Sequence, residues 1–246
     1  MNWHRRAAVV QSPPNSVHTI QQMTRFINEE FYRHYAEPWL MDKLWAQGWR
    51  HFGGYFFRYS IARHDGGAQT VVPLRIKLSE FEPSRSQKRA LSRNQDLKVV
   101  IRPSIIDDFK RQLFNRHKQR FDHNVPDSIN DFMSSLPASL PCTNKEIDVF
   151  AGDRLIGISF LDIGQTSTSS VYAMFEPEES KRSLGIFMIL QAIQYSRELG
   201  CSFYYPGYAY RGPSFYDYKK NFAGLEAYDW QTGWQPYQPD EGEIDE

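Results

Sequence analysis

The chain has 246 residues, of which 41% are hydrophobic and 24% charged, and its formal net charge is zero. This composition is typical of a folded globular protein and excludes a disordered one. No apolar run approaches the roughly 18 residues of a membrane-spanning helix, and residues 1–10 lack the apolar core of a secretory signal. Two cysteines are too few for a disulfide framework or a cysteine-bound metal cluster. We therefore predict a cytoplasmic protein that has no metal site and does not contact membranes.

Charge is distributed unevenly along the chain. Residues 75–120 contain thirteen Lys and Arg against five Asp and Glu, whereas residues 226–246 contain seven acidic residues and no basic one. A basic stretch of this kind suits a phosphate-binding surface, and the alternative interpretation is a solvated helix face. The acidic residues 238–246 are typical of a disordered tail.

The first part of the chain contains patterns of both helix and strand. Apolar residues spaced by 3.6 positions indicate helix, and Gly48 is a plausible helix end. Asp65-Gly66-Gly67 is a turn signal between two strand patterns. The predicted elements are helices over residues 16–35 and 38–47 and strands over residues 55–59 and 71–78.

The order of elements after residue 96 is informative. Two-residue turns separate the three middle strands, which favours a hairpin meander. The helix from 104 is predicted to begin with Ser104 as its N-cap, and the long helix from 178 follows Pro177. The predicted elements are strand 97–102, helix 104–121, helix 127 or 128 to 136, strands 146–151, 154–163 and 168–175, helix 178–199, strand 201–205, helix 214–222 and strand 225–228.

This order resembles that of the GNAT acyltransferase fold, in which two central strands splay apart and an acyl donor meets an amine between them. We predict an α+β (α/β) fold with a GNAT-like mixed sheet, flanking helices and an N-terminal region of helices and strands. The predicted domains are an N-terminal region over residues 1–92, with a basic motif at 85–93, an acyltransferase domain over 93–237, and the tail over 238–246.

Several motifs in the same order resemble one family. Residues 169–185, the aromatic run Tyr204-Tyr205-Pro206-Gly207-Tyr208 and the pair Tyr218-Lys219 are similar to the C-terminal core of arginyl-tRNA–protein transferases and their bacterial leucyltransferase relatives. Gly48-Trp49-Arg50, residues 72–76 and residues 81–89 are similar to the N-terminal pattern of the bacterial members. The resemblance extends over about residues 40–230.

The chain departs from this family at one place. Family members usually carry a cysteine cluster just before the strand at 72–76, but residues 63–71 contain no cysteine. Cys142 and Cys201 lie elsewhere in the sequence. We therefore expect no iron–sulfur cluster, haem or other cofactor here, because thiolate ligands are missing.

The resemblance implies transfer of an amino acid from aminoacyl-tRNA to the N-terminal amine of a protein or peptide. Leucine is favoured over arginine by the bacterial-type motifs, and the acceptor would begin with Asp or Glu and be marked for degradation. An aminoacyl ester is already activated, so the reaction needs positioning and oxyanion stabilisation and no covalent intermediate. The lack of a Ser-His-Asp or Cys-His signature agrees with this chemistry.

The candidate tRNA-binding residues form two groups. The first lies in the basic motif, for which the alternative is a solvated turn between strands, and in which Gln87 has a possible structural role. The second lies where the long helix begins, since a helix N-terminus binds phosphate; the alternative there is a capped core helix. The candidates are Arg85, Gln87, Lys88, Arg89 and Arg93, with Arg182, Ser183 and Gly185.

The remaining candidates lie near the two central strands. We predict catalytic roles for Glu176, Tyr172 and Lys219, and acceptor binding by Tyr208, Arg211 and Tyr218. Glu176 could bind the donor α-amine or deprotonate the acceptor, whereas Arg211 and Lys219 are the cations available for an acceptor carboxylate. Helix-end carboxylates and buried tyrosines are also common as structural groups.

Two other functions fit the same scaffold. One is acetyl-coenzyme A-dependent N-acetyl transfer, against which we count Phe187, whose bulk would obstruct a pyrophosphate at the helix start. The other is a non-catalytic module that binds tRNA or N-terminal degradation signals.

Overall fold

The computed structural model describes residues 26–64, 67–121 and 125–239. The strands of these residues form two sheets. The smaller sheet contains β1 (Asn28–Tyr32), β2 (Arg50–Phe52) and β3 (Tyr55–Tyr59). The larger sheet contains β4 (Ile61–His64), β5 (Gly67–Lys77), β6 (Lys98–Pro103), β7 (Asn144–Ala151), β8 (Arg154–Ile163), β9 (Ser167–Phe175), β10 (Phe203–Tyr210), β11 (Leu225–Asp229) and β12 (Gly233–Pro236). The α-helices of the described residues are α1 (Pro38–Ala46), α2 (Arg85–Arg93), α3 (Asp108–His117) and α4 (Leu184–Glu198).

The larger sheet is mixed and has the order β12-β11-β5-β10-β9-β8-β7-β6, with β4 paired to β5. Strand β10 is parallel to β9 and antiparallel to β5. A parallel pair needs a crossover connection, and α4 provides it by linking β9 to β10. The predicted α+β class with a GNAT-like mixed sheet is confirmed by this arrangement.

Helices and the small sheet cover the two faces of the larger sheet. One face packs against α2 and α4 around the fully buried Ile147, Leu161 and Ile193. The other face packs against α3 through Phe160 and Met174 and, further along, against α1 and the small sheet. Alternate residues of a strand point to opposite faces, so each central strand contributes to both cores. None of the helices in the described segments is long and apolar enough to cross a bilayer.

The hairpin meander is confirmed by β7, β8 and β9, which pair antiparallel in sequence order. The turn between β7 and β8 contains Gly152 at φ +58°, a conformation that favours glycine. The short helix before Gly48, the aromatic strand and the strand over 71–78 are likewise confirmed as α1, β3 and β5.

The predicted helix over residues 16–35 is wrong for residues 28–32, which form strand β1, while residues 16–25 lie outside the described part. Phe31 stacks on Phe56 of β3 at 4.9 Å between ring centroids, and β1 hydrogen-bonds along β3. Phe31 fits a helical spacing equally well, so only this long-range pairing decides the local structure.

Several predicted helices are shorter than expected. Ser104 is not an N-cap, because its hydroxyl bonds to Asn144, and the side chain of Asp107 caps α3 instead. Residues 127–136 and 214–222 contain only short 3₁₀ turns, Ile129–Asp131 and Asp217–Lys220. The long helix is interrupted at Ser183, whose left-handed φ of +57° ends a 3₁₀ turn, Pro177–Arg182, before α4 begins. Strand β12 was not predicted, and residues 240–246 of the predicted tail lie outside the described part.

The basic motif at 85–93 is helix α2 and not a turn between strands. The preceding strand β5 inserts between β10 and β11, so a strand of the N-terminal region lies at the centre of the main sheet. The predicted division at residue 92 therefore separates β5 from the strands that hydrogen-bond to it on both sides.

A buried ion cluster joins α3 to the edge of the sheet. The Lys110 ammonium lies 2.7 Å from both carboxylate oxygens of Glu146, and both side chains have no exposed surface. Arg102 bridges Glu146 and Asp148 from the solvent side. Burial, and next the charge of Glu146, raise the pKa of Asp148 to about 6.

We expect Lys110→Met to lower the free energy of unfolding by about 3 kcal/mol, because Glu146 would keep a buried charge with one partner fewer. Urea unfolding measures this loss. The exposed Lys98 on neighbouring β6 is the control, and its Met variant should unfold like the wild type within about 0.5 kcal/mol. Equal stability of the two variants would contradict a supporting role for the cluster.

Candidate active site

The parallel strands β9 and β10 pair over only three residues and then part. Their ladder joins Phe203, Tyr204 and Tyr205 to Ser167, Thr168 and Ser169, respectively. On its other side β10 pairs with β5 from Phe203 to Tyr210, and the register of that pairing shifts between Tyr204 and Gly207. We call the resulting space, between residues 170–175 of β9 and 206–210 of β10, the wedge.

Arg50 lies at the base of the wedge. Its guanidinium donates hydrogen bonds to the Ser169 hydroxyl and to the Ser170 carbonyl, one residue beyond the last β9–β10 pair. Burial lowers the pKa of Arg50, and nearby Tyr208 and Asp162 act in the opposite direction. No carboxylate in the described segments forms an ion pair with Arg50, since Asp162 bonds to other groups.

Those other groups form a buried network that places β2 beside the sheet. Asp162 accepts hydrogen bonds from His51 at 2.7 Å and from Asn144 at 2.7 Å, and the other His51 ring nitrogen lies 2.9 Å from the Gly53 carbonyl. His51, Cys142 and Asp162 could in principle ligate a metal, because their ligand atoms lie within 4.8 Å of one another. Hydrogen bonds already engage both the carboxylate and the imidazole. The absence of a metal at this place stays a prediction.

Lys219 approaches the wedge from the other side. It lies in the 3₁₀ turn after β10, and its ammonium donates to the Tyr208 carbonyl at 3.2 Å. Burial, and next the charge of Arg50, lower its pKa to about 7. A substantial fraction of Lys219 is therefore neutral at neutral pH.

Gly207 separates the two cations. A Cβ atom at this position would lie 3.3 Å from Lys219 Nζ and 3.6 Å from Arg50 Nη2, and the residue has a φ of +107°. The missing side chain thus lets an ammonium and a guanidinium both approach the β10 backbone closely, and neither has a carboxylate partner among the described residues.

Tyrosines line the rest of the wedge. The hydroxyls of Tyr204 and Ser170 meet at 2.6 Å across its base, and Tyr208 donates to the Gly48 carbonyl at 2.6 Å. Burial raises the pKa of Tyr208, Tyr218 and Tyr172, so all three remain neutral. The predicted acceptor residues Tyr208 and Tyr218 lie at the wedge, whereas Arg211 is exposed beyond the end of β10.

Tyr172 projects from the opposite strand, β9. Its ring stacks on Phe132 at 4.2 Å between centroids. Its hydroxyl is buried and has no hydrogen-bond partner within the described chain. A buried unsatisfied hydroxyl is costly, which agrees with a group that receives its partner from a bound substrate.

The mouth of the wedge is crossed by the segment that follows β10. Phe215 contacts Phe121 at 6.2 Å between ring centroids, from the opposite side of the mouth. Tyr216 lies next to it, with the Lys219 ammonium 4.8 Å from its ring centroid. Phe215 is 59% exposed, so an aromatic side chain is presented to solvent at the entrance.

Glu176 is already paired. Arg116 donates to both of its carboxylate oxygens, at 2.9 and 2.7 Å, and the carboxylate is almost fully buried. The carboxylate would have to leave Arg116 to reach a substrate. Its catalytic role stays a prediction that this geometry does not favour.

The basic helix α2 presents unpaired cations. Arg85, Lys88 and Arg89 are exposed, and no hydrogen bond or ion pair within the described residues engages their side chains. Gln87 is buried, because it completes a capping box with Ser84 and donates to the Asn221 carbonyl at 2.8 Å. Gln87 therefore orients the helix, and its neighbours are free to contact a ligand.

The start of α4 is held by arginines that have partners. Arg182 pairs with Asp96 and Glu179, and Arg93 donates to the carbonyl of Lys181 and the hydroxyl of Ser183. A Cβ atom added at Gly185 would lie 3.8 Å from the Phe175 ring, which is an ordinary contact distance.

The argument that Phe187 would obstruct a pyrophosphate is wrong. Its side chain is buried in the core with Leu184 and Met188, away from the helix start.

Sequence reasoning did not place Arg50 and Gly207 at the wedge. Both belong to motifs that carried the family resemblance, Gly48-Trp49-Arg50 and the aromatic run 204–208. The motif match was the available signal, but nothing local indicated that the two residues would meet.

A mixed sheet whose parallel central strands part after three pairs defines this chain as a protein of the GNAT-like fold. Residues 109–229 match the family model described as arginine-tRNA-protein transferase, C terminus, and residues 7–89 match the N-terminus model. The chain therefore belongs to the arginine-tRNA-protein transferase family and is an aminoacyltransferase.

Individual relatives agree with this assignment. The aspartate/glutamate leucyltransferase of Stenotrophomonas maltophilia (strain R551-3) is 32% identical over 190 residues, which cover 74% of each chain. The protein of the same name from Xanthomonas oryzae pv. oryzae (strain PXO99A) is 35% identical over 167 residues, covering 64% of this chain and 66% of its own length. Among solved structures, FemX is similar with a TM-score of 0.46 and 12% identity, covering 77% of this chain and 68% of that chain.

We expect Lys219 to titrate near pH 7. Its acetylation rate, followed by mass spectrometry over a range of pH, should reach half its plateau at about pH 7, well below the ordinary lysine value of about 10.4. Arg50→Met should move the Lys219 midpoint upward, because a like charge is removed. A Lys219 midpoint at the ordinary lysine value would contradict a buried ammonium beside the Arg50 charge.

Proposed function

We propose that this chain transfers leucine from leucyl-tRNA to the N-terminal amine of a protein or peptide that begins with Asp or Glu. The observation that carries the proposal is the wedge, where two cations without carboxylate partners face a space between parted strands. The relatives are called aspartate/glutamate leucyltransferases, which agrees with this acceptor class. A tRNA donor agrees with a cytoplasmic location. The product would carry an N-terminal leucine, which in this family marks proteins for degradation.

The reaction needs few catalytic groups. The acceptor α-amine attacks the ester carbonyl of the donor, a C–N bond forms, and the C–O bond to the tRNA ribose breaks. Lys219 in its neutral form accepts the proton that the amine loses, and this proton then passes to the departing ribose hydroxyl. The uncharged Tyr172 hydroxyl, which has no hydrogen-bond partner in the described chain, is suited to donate to the tetrahedral oxyanion.

Helix α2 supplies the surface for the tRNA. Its exposed Arg85, Lys88 and Arg89 have no competing carboxylate within the described residues, so they retain their charge for phosphates. Arg93, at the end of α2, contacts the start of α4. Helix α4 in turn links β9 to β10, the two strands of the wedge.

The test of the proposal is incubation of the purified chain with charged tRNA and short peptides. We expect leucyl-tRNA to label peptides beginning with Asp or Glu, with a matched Ala-initiated peptide labelled at least about a hundredfold more slowly, the size of discrimination that a lost charged contact gives. Arginyl-tRNA and acetyl-coenzyme A serve as competing donors.

Labelling from acetyl-coenzyme A alone would contradict a tRNA donor, and labelling from arginyl-tRNA alone would contradict leucine. Binding of tRNA without any transfer would identify a non-catalytic module. Transfer that survives ribonuclease treatment of the donor would also contradict the proposal.

We expect the double variant Lys88→Glu with Arg89→Glu to raise the KM for leucyl-tRNA by about tenfold or more, with little change in kcat. The salt dependence of binding should weaken by roughly two counterions, because two phosphate contacts are lost. The control is Lys43→Glu with Lys145→Glu, which reverses the same number of charges on α1 and β7. Equal KM values for the two double variants would place the tRNA elsewhere.

A further inference from the structure

We propose that Arg50 and Gly207 form the specificity site for the acceptor, in which the side-chain carboxylate of the first acceptor residue binds the guanidinium beside the glycine. This inference rests on the proposed function and identifies the residues that select an acidic acceptor. In this arrangement Lys219 faces the α-amine of the same residue.

The charge balance of the wedge requires an anion. Arg50 and Lys219 are both partly buried, and neither has an ion-pair partner in the described part of the chain. Burial, and next the charge of Arg50, lower the pKa of Lys219. Buried charges in proteins are normally paired. The surrounding tyrosines cannot supply the negative charge, because burial raises the pKa of Tyr59, Tyr204 and Tyr208 and keeps them neutral.

The hydrogen bonds of Arg50 leave it able to bind a carboxylate. Two of its five N–H groups are used by the Ser169 hydroxyl and the Ser170 carbonyl, both of them neutral acceptors. The remaining groups are available to a ligand. The network of His51 with Asp162 and Gly53 fixes the neighbouring backbone, so the guanidinium is positioned before the ligand arrives.

Gly207 brings the two cations close enough together for one acidic residue to contact both. The two cations lie 3.6 and 3.3 Å from the point where a Cβ of residue 207 would stand. An aspartate or glutamate at a peptide N-terminus carries its amine and its carboxylate a few bonds apart, so one residue can meet both groups. A neutral Asn or Gln of the same size would leave the guanidinium unpaired, which disfavours its binding.

The experiment is a competition between two peptides that differ only in their first residue, Asp or Asn, mixed in one reaction with leucyl-tRNA. The ratio of the two products gives the ratio of kcat/KM values and does not depend on the fraction of active enzyme. The variants are Arg50→Lys, which keeps the charge but not the fork of donors, and Gly207→Ala, which places a methyl group between the cations. The control is Arg75→Lys, since Arg75 pairs with Glu226 at 2.5 Å on the neighbouring strand β5.

We expect the wild type and Arg75→Lys to favour the Asp peptide by at least about a hundredfold. Arg50→Lys and Gly207→Ala should each reduce this preference at least about tenfold, mainly by slowing transfer to the Asp peptide. An unchanged ratio in both variants, even with lower total activity, would overturn the inference and leave Arg50 as a structural group.

The two proposals fail in different ways. Absence of transfer by the wild type to either peptide would defeat the proposed function itself. Transfer by the wild type without a preference for Asp over Asn would leave aminoacyl transfer in place and overturn the specificity site alone.

Discussion

The contact between Arg50 and β9 determines the character of the site. A backbone carbonyl that loses its strand neighbour inside a protein needs another hydrogen-bond donor. The guanidinium provides one for Ser170 immediately beyond the last pair of β9 with β10. The opening of the sheet is thus stabilised by a positive group, and the same group lowers the pKa of Lys219.

Arg50 could not hold this position without the small sheet. Strand β2 is bound to β3 in register, and His51 next to Arg50 is hydrogen-bonded to Asp162 of β8 and stacked on Phe56. The N-terminal region therefore contributes to the wedge through a rigid strand and not through a loop. This explains why the family resemblance needs motifs from both halves of the chain.

Local patterns were sufficient for the elements whose side chains alternate or whose ends carry strong signals. The meander β7–β9 was predictable because short turns separate strands of β-branched and aromatic residues. Strand β1 was not, since Phe31 suits a helix or a strand until it stacks on Phe56. The break at Ser183 also escaped prediction, because serine rarely adopts a left-handed conformation.

The candidate site was predictable only in part for a related reason. Tyr172, Tyr208, Tyr218 and Lys219 lie at or beside the wedge, and the motif resemblance indicated all four. The contact of Arg50 with Ser169 joins residues 119 positions apart, and no pattern of neighbouring residues encodes such a distance.

The position of β5 has a consequence for how the chain must be made. Both neighbours of this strand, β10 and β11, are translated long after it, so a nascent chain exposes two open strand edges while the second half is synthesised. Open edges invite aggregation, and distant pairings form slowly. If the two halves were made as separate polypeptides, they would have to associate to complete the larger sheet.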